Sequence, residues 1–210
     1  MTLSVHRYIT GPLKENCYIA VDDATQKAAI IDPGMGILSE WQALSQAENL
    51  TLDKIFLTHA HLDHIFGLKD LKEATNAPVW MHEDDLFLIE EYVNFSARWG
   101  FTVEEAPRPD HFWKDADTIM LGESQFEIIH TPGHTPGGVC IRCGDVMFTG
   151  DTLMHFSIGR SDFPRGDHNQ LVHSILYKLY TLPETVMIYP GHMNKTSIGD
   201  EKHMNAHVRA

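Results

Sequence analysis

Four side chains able to hold a metal ion fall within the six residues His59-Ala60-His61-Leu62-Asp63-His64. They follow the apolar run Ile55-Phe56-Leu57, which reads as a short buried strand. They precede a pattern from Gly67-Leu68 onward that reads as helix. On extended backbone His59 and His61, two residues apart, point the same way. Asp63 and His64 occupy the turn that opens the helix and face a second point nearby. Imidazole with carboxylate suits zinc, iron or manganese.

Three further candidates stand where other apolar runs end. Ile128-Ile129-His130-Thr131-Pro132-Gly133-His134 delivers His134 from a glycine-proline loop. Val146-Met147-Phe148-Thr149-Gly150-Asp151 delivers Asp151, and Val186-Met187-Ile188-Tyr189-Pro190-Gly191-His192 delivers His192. Loops at strand ends are where a rigid scaffold builds sites. His59, His61, Asp63, His64, His134, Asp151 and His192 are too many for one tetrahedral ion. They fit two metals, each with private ligands, sharing one carboxylate and a bridging water or hydroxide. Structural zinc sites favour cysteine and are closed, so a His/Asp set points to an open, catalytic centre.

The elements that must position these residues read as follows. Leu3–Ile9, Asn16–Val21 and Lys27–Ile31 are strands, the last ended by Asp32-Pro33-Gly34. Met35 to Asn49 is an amphipathic helix, and the histidine cluster comes next. A helix from about Ile65 to Ala74 leads to a strand at Pro78–Met81, and another helix begins at His82 and runs through Leu86, Ile89 and Val93. Gly100 to Asp110 has loop chemistry and divides the chain near its middle. In the second half Thr118–Leu121, Gln125–Ile129, Gly138–Arg142, Val146–Phe148 and Thr185–Tyr189 read as strands. Asn169–Tyr180 and Ile198–Asn205 read as helices. Strands then helices, twice, suggest an α/β protein of two packed sheets with helices outside.

Composition bounds the function. The 210 residues are 43% hydrophobic and 21% charged, ordinary for a globular chain long enough to bury a sizeable core. A net charge of −13 argues against nucleic acid or an anionic membrane as partner. No signal peptide is visible at the N-terminus, and no apolar run approaches the roughly 18 residues that span a bilayer. Cys17, Cys140 and Cys143 form no disulfide framework, so a cytoplasmic location is the expectation. Cys140 and Cys143 are spaced C-x-x-C inside an apparent strand, which puts the two thiols on opposite faces as packing residues.

The motifs H-x-H-x-D-H, P-G-H-T-P-G, G-D and Y-P-G-H, in this order, resemble the metallo-β-lactamase fold superfamily. The resemblance runs from Asn16-Cys17-Tyr18 and Ile31-Asp32-Pro33-Gly34 to the end of the chain. Phe148-Thr149-Gly150-Asp151-Thr152-Leu153, followed by Ser157-Ile158-Gly159-Arg160-Ser161-Asp162-Phe163-Pro164, is similar to glyoxalase II-like thioesterases. Thr196-Ser197-Ile198-Gly199-Asp200-Glu201-Lys202 resembles their short, single-domain branch. The resemblance implies a four-layer αβ/βα sandwich over residues 1–210, two αβ halves meeting near 100–110. No C-terminal glutathione-binding helical domain is expected. His59, His61 and His134 would hold one metal, Asp63, His64 and His192 the second, and Asp151 would bridge them. Two divalent ions are implied, zinc first, with iron or manganese as alternatives.

The activity implied is hydrolysis of a small-molecule thioester, as by a hydroxyacylglutathione hydrolase. A metal-bridging hydroxide, from water brought to a pKa near ~7, attacks the carbonyl. A metal stabilises the oxyanion. The departing thiol, of pKa about 8–9, needs no dedicated acid. Asp151 and Asp63 are the catalytic candidates. An iron-dependent persulfide dioxygenase on the same fold, using positions matching His59, His134 and Asp151, is the alternative, as is a hydrolase of esters or lactones. A β-lactamase fits less well, since zinc enzymes of that group commonly carry cysteine where Asp151 stands.

Other residues carry two readings. Asp32 either hydrogen-bonds a ligand histidine or is a plain turn aspartate. His130 is a strand-end packing residue or a support for a ligand, these being preferred to a ligand role of its own. Arg160 either meets a substrate carboxylate or pairs with Asp162, the second being preferred. His155 and Phe156 stand where the family commonly has small residues, and Met193-Asn194-Lys195 replaces its usual Gly-Pro. These positions belong to the site mouth, where His155 and Phe156 either line the pocket or cover it.

Overall fold

In the computed structural model, which describes residues 3–209, short left-handed turns fold the start of the chain back on itself. Strand β1 (Leu3–Thr10) pairs antiparallel with β2 (Glu15–Asp22), from Leu3↔Asp22 to Thr10↔Glu15. Strand β3 (Lys27–Ile31) returns antiparallel along β2 after Gln26, whose φ is 58°. The Asp22 carboxylate organises that turn by accepting the Thr25 N–H at 2.9 Å and its hydroxyl at 2.6 Å.

Between β3 and β5 the sheet is parallel, because helices carry the chain back. Helix α1 (Ile37–Glu48) ends at Asn49 in the left-handed region, and β4 (Thr51–Phe56) lies parallel to β3. Helix α2 (Leu68–Thr75) ends likewise at Asn76, and β5 (Val79–His82) lies parallel to β4. Strand β6 (His111–Trp113) closes a six-stranded mixed sheet in the order β1 to β6. β2 is buried along its whole length and β3 from its second residue on. Continuous burial is what strands covered on both faces require. Ile19, Ile30, Ile55, Leu57, Leu68 and Val79 are among the residues of this core.

The second mixed sheet has the order β14-β13-β10-β9-β8-β7. Its strands are β7 (Thr118–Leu121), β8 (Ser124–His130), β9 (Val139–Cys143), β10 (Val146–Gly150), β13 (Met187–Pro190) and β14 (Thr196–Ser197). β10 and β13 run parallel, with Val146↔Met187 and Phe148↔Tyr189 in register. Strands β11 (Leu153–Met154) and β12 (Ser157–Ile158) form a separate small hairpin. Cys140, Met147, Leu171, Ile175 and Ile188 lie in this core. The chain forms two compact units, one drawn from Met1–Phe112 and Met120–Ser124, the other from Trp113–Ile119 and Gln125–Ala210. Met1, Thr2 and Ala210 lie outside the described residues.

Several expected elements are shorter or broken. The helix expected from His82 through Val93 becomes a 3-10 turn at Glu83–Asp85 and two helices, α3 (Leu86–Glu90) and α4 (Tyr92–Arg98). The joint at Glu91 lets Tyr92 and Ser96 bury after Leu88 and Ile89 have done so. The helix expected over Asn169–Tyr180 is α5 (His168–Ser174) followed by a π-turn, Ile175–Leu179. That turn closes with Tyr180 N–H on the Ile175 carbonyl at 2.9 Å. Strands β6, β11, β12 and β14 were not anticipated, since two or three residues carry no readable period. The final helix, α6 (Ile198–Met204), starts at a Ser197 cap and agrees with the reading. All three cysteines are free thiols, Cys140 buried and Cys143 half-buried. Burial pushes the Cys140 thiol up to about 12. Among the described residues no helix is long and apolar enough to cross a membrane.

Candidate metal centre

The first unit places its candidate ligands at the parallel exits of β3 and β4. Register Ile31↔Phe56 sets Asp32 beside the start of the histidine loop, and the Asp32 N–H reaches the Phe56 carbonyl at 2.9 Å. Asp32 sits at φ 54°, a conformation aspartate tolerates better than most residues. Its Oδ1 accepts the Thr58 N–H at 2.7 Å, and its Oδ2 accepts the Thr58 hydroxyl at 2.6 Å. The same Oδ2 lies 3.1 Å from His64 Nδ1.

These contacts settle two tautomers. The Thr58 hydroxyl proton goes to Asp32, so Thr58 Oγ1 accepts from His59 Nδ1, 3.1 Å away. His64 Nδ1 donates to Asp32. Both rings therefore carry their proton on Nδ1 and keep the Nε2 lone pair for a cation. The ring centroids of His59 and His61 are 4.8 Å apart, and those of His59 and His64 4.0 Å. His64 Nε2 lies 3.9 Å from Asp63 Oδ2, beyond hydrogen-bond reach. Of the two readings of Asp32, the structure selects the partner of a candidate ligand histidine, His64. Three donors occupy its carboxylate, which makes it an anchor.

Two acids in this unit escaped the sequence reading. Buried Asp85 accepts the Ala60 N–H at 3.3 Å and so steadies the loop between His59 and His61. Only its place in the acidic run Glu83-Asp84-Asp85 marked it. Buried Glu15 takes the Thr10 hydroxyl at 2.5 Å. Burial raises its pKa well above the usual carboxylate range, the nearby His64 pulls it down, and Asp32 pushes it up again. Gly67 is held by its N–H on the Pro33 carbonyl at 2.8 Å, and a Cβ there would lie 2.3 Å from the Gly34 carbonyl oxygen. The Asp32-Pro33-Gly34 turn and the turn after His64 are thus locked together.

The second unit repeats the device with its own parallel pair. β10 and β13 exit side by side at Gly150↔Pro190, and the Gly191 N–H binds the Gly150 carbonyl at 2.8 Å. Asp151 and His192 follow. His192 Nε2 lies 3.7 Å from Asp151 Oδ2, and His134 Nε2 lies 3.6 Å from the same oxygen. Two ligand atoms ~2.1 Å from one ion at tetrahedral angles stand roughly 3.4 Å apart, so these separations suit cations and not direct hydrogen bonds. His134 Nδ1 lies 2.5 Å from the Arg160 carbonyl oxygen. A carbonyl only accepts, so Nδ1 carries the proton and Nε2 is again the nitrogen that could meet a cation.

The His134 loop is braced on every side. The Thr131 N–H binds the Gly138 carbonyl at 2.8 Å, and the Asp167 N–H binds the Gly133 carbonyl at 2.8 Å. His130, one of the residues with two readings, bonds the Pro136 carbonyl through Nε2 at 2.9 Å and supports the loop from its strand end. Phe163 meets the His134 ring edge-on at 6.0 Å between centroids. Gly159 approaches the candidate ligands closely: a Cβ there would lie 1.9 Å from the Asp151 carbonyl oxygen and 2.9 Å from His134 Nδ1.

The substrate candidates separate clearly. The Arg160 side chain forks onto Asp162, at 2.9 and 2.8 Å, and its guanidinium lies 4.6 Å over the Phe163 ring. The preferred ion-pair reading holds, and it is the Arg160 carbonyl that serves the site. His155 and Phe156 form the tip of the β11–β12 hairpin, their rings 4.1 Å apart. Residue type singled out the Arg160 side chain. No residue type could have announced its carbonyl.

A profile of the Metallo-beta-lactamase superfamily matches residues 10–192 of this chain. Hydroxyacylglutathione hydrolase GloC of Haemophilus influenzae is 39% identical, over 91% of this chain and 92% of that protein. Among solved structures, the crystal structure of BLEG-1 B3 metallo-beta-lactamase is similar at a TM-score of 0.90 and 34% identity, covering 99% of this chain and 100% of that one. TTHA1623 in a di-iron-bound form is similar at a TM-score of 0.86 and 34% identity, covering 96% of this chain and 98% of that one.

Proposed function

This chain belongs to the metallo-beta-lactamase superfamily, its described residues forming two mixed six-stranded sheets and six helices, and from that premise we propose that it hydrolyses a small-molecule thioester with two metal ions. The observation that carries the reading is the convergence of His134 and His192 Nε2 on one oxygen of Asp151, at 3.6 and 3.7 Å. The likeness to a hydroxyacylglutathione hydrolase supports a 2-hydroxyacyl thioester as the substrate class. In this proposal His59, His61 and His134 serve one ion, Asp63, His64 and His192 the other, and Asp151 both.

Zinc is the proposed metal, with iron as the alternative that the di-iron relative suggests. Two such ions, when bound, supply an acidified water as nucleophile and a Lewis acid for the carbonyl oxygen. The protein's own part is positional. Asp32, through Thr58 and directly, keeps the protons of His59 and His64 on Nδ1. The Arg160 carbonyl does the same for His134. Asp151 keeps one oxygen between two imidazoles and so orients what binds there. No side chain need protonate the leaving group, because a thiol of pKa about 8.5 departs as thiolate.

The test is metal content of the purified protein followed by assay. Two zinc equivalents with thiol release from S-lactoylglutathione are expected. One iron with oxygen uptake on glutathione persulfide would overturn the reading in favour of an oxidoreductase. Hydrolysis of a β-lactam in preference to the thioester would overturn it in favour of amide chemistry.

A further inference from the structure

Nine non-glycine residues among those described adopt positive φ, and two of them are large and apolar: Phe156 at 55° and Met193 at 69°. The others are polar or charged, or are Ala116. Left-handed backbone is strained for a non-glycine residue of this kind, because its Cβ crowds the following carbonyl. Phe156 and Met193 recover little of that by burial, being 40% and 53% exposed. An exposed apolar side chain on a strained backbone is doubly unfavourable for folding alone. Such outliers concentrate at functional sites.

Both positions adjoin the second unit's ligands. Met193 follows His192 directly. Phe156 lies three residues before Gly159, whose Cα has no room for a Cβ against Asp151 and His134. Three residues span at most roughly 11 Å, so the hairpin tip stands within a small substrate's length of the metal ligands. The tip is also pinned. The Phe156 N–H donates to both carboxylate oxygens of buried Glu201, at 3.0 and 3.1 Å. Glu201 in turn takes the Thr196 hydroxyl at 2.7 Å and the Asn205 amide at 2.8 Å, and Asn205 reaches the Ser157 carbonyl at 3.1 Å. The His155 ring packs against that of Phe156 at a tilt and stiffens it further.

We infer that Phe156 and Met193 are specificity residues which bind an apolar, preferably aromatic, group attached to the scissile thioester. The enzyme then favours aryl-bearing thioesters over small polar ones. The group can sit on the acyl or the thiol side, and the chemistry that recognises it is the same. The inference rests on the proposed thioester hydrolysis for the reaction, and on the hairpin and the His192 turn for the binding.

The test uses F156G and M193G in the metal-loaded protein, glycine being the residue that suits both backbones. One pair of substrates varies the acyl group on glutathione, lactoyl against mandeloyl. A second pair varies the thiol carrying a lactoyl group, N-acetylcysteamine against benzyl mercaptan. Wild type should prefer the aryl member of at least one pair, and that pair identifies the side. Each variant should raise KM for the aryl member roughly tenfold more than for its partner, with Tm no lower than wild type. A purely structural role would instead lower Tm and leave the preference intact. Equal use of both members by wild type, or equal loss on both in the variants, overturns the inference. If wild type cleaves no thioester, the proposed reaction fails, and the rim is judged by calorimetry with S-benzylglutathione and S-methylglutathione. Tighter benzyl binding that F156G abolishes upholds the rim, and equal or absent binding overturns it.

Discussion

Asp32 Oδ2 and His64 Nδ1 stand 3.1 Å apart across the exits of two neighbouring parallel strands, and the same oxygen holds the Thr58 hydroxyl that fixes His59. One carboxylate therefore orients two imidazoles. Substituting Asp32→Asn removes the charge and turns one of the two acceptor oxygens into a donor, so the three N–H and O–H donors around it can no longer all be accepted. Metal affinity should fall about 10–100-fold while the fold persists, as for other supports of metal-ligating histidines. Competition with a chelator, alongside far-UV circular dichroism, measures both. Unchanged affinity in a folded variant would show that the histidines orient themselves.

Asp151 is approached by two imidazole nitrogens at one oxygen. Asp151→Asn keeps the shape and removes the charge. We expect hydrolysis to fall by at least roughly 100-fold and metal stoichiometry to drop, with Tm of the metal-free protein unchanged. Near-normal turnover would refute a shared-ligand role.

Gly159 tests whether the hairpin must touch the ligands. The Cβ of Gly159→Ala would meet the Asp151 carbonyl oxygen at 1.9 Å, a backbone atom that cannot swing aside. Overpacking of this kind costs about 1–3 kcal/mol. That corresponds to a Tm loss of about 2–4 °C per kcal/mol in a chain of this size, read by scanning calorimetry. Metal retention should fall with it. A variant with wild-type Tm and full metal would mean the hairpin yields without consequence.

Two buried acids should give opposite pH signatures in the metal-free protein. Burial raises Glu15 well above its ordinary value of 4.5, so above that pH the unfolded chain loses a proton that the folded chain keeps. Stability from Glu15 is therefore present below pH 4.5 and lost as pH rises, and Glu15→Gln should gain on wild type with increasing pH. For Asp22, burial pushes upward but hydrogen bonds from Ser124 and Thr25 outweigh it and hold the group at about 2, against 3.8. Its contribution is present above pH 3.8 and lost as pH falls through about 2, so Asp22→Asn should be the less stable protein at pH 7 and converge with wild type in acid. Denaturant titrations at several pH values read both, and parallel pH profiles for wild type and Glu15→Gln would remove the assigned proton.

The candidate ligand types, their order and their placement at strand exits were legible in the chain, because strand hydrophobicity and turn chemistry are local signals. His59 to His64 after Ile55-Phe56-Leu57, and Asp151 and His192 after their own apolar runs, needed no tertiary information. Nor did the family likeness of the motifs. Asp32 was visible only as one of two possibilities, since a turn aspartate and a histidine's anchor share one sequence, and the β3–β4 register chose between them. The Arg160 carbonyl, the space denied at Gly159 and the grip of Glu201 on Phe156 had no signature at all. Each is a contact between residues distant in sequence or through backbone atoms that every residue type carries. Sequence by itself thus determined which side chains can hold metal. Tertiary structure decided which nitrogen His59, His64 and His134 offer and how firmly the surrounding turns are held, because those depend on hydrogen bonds that only folding brings into range.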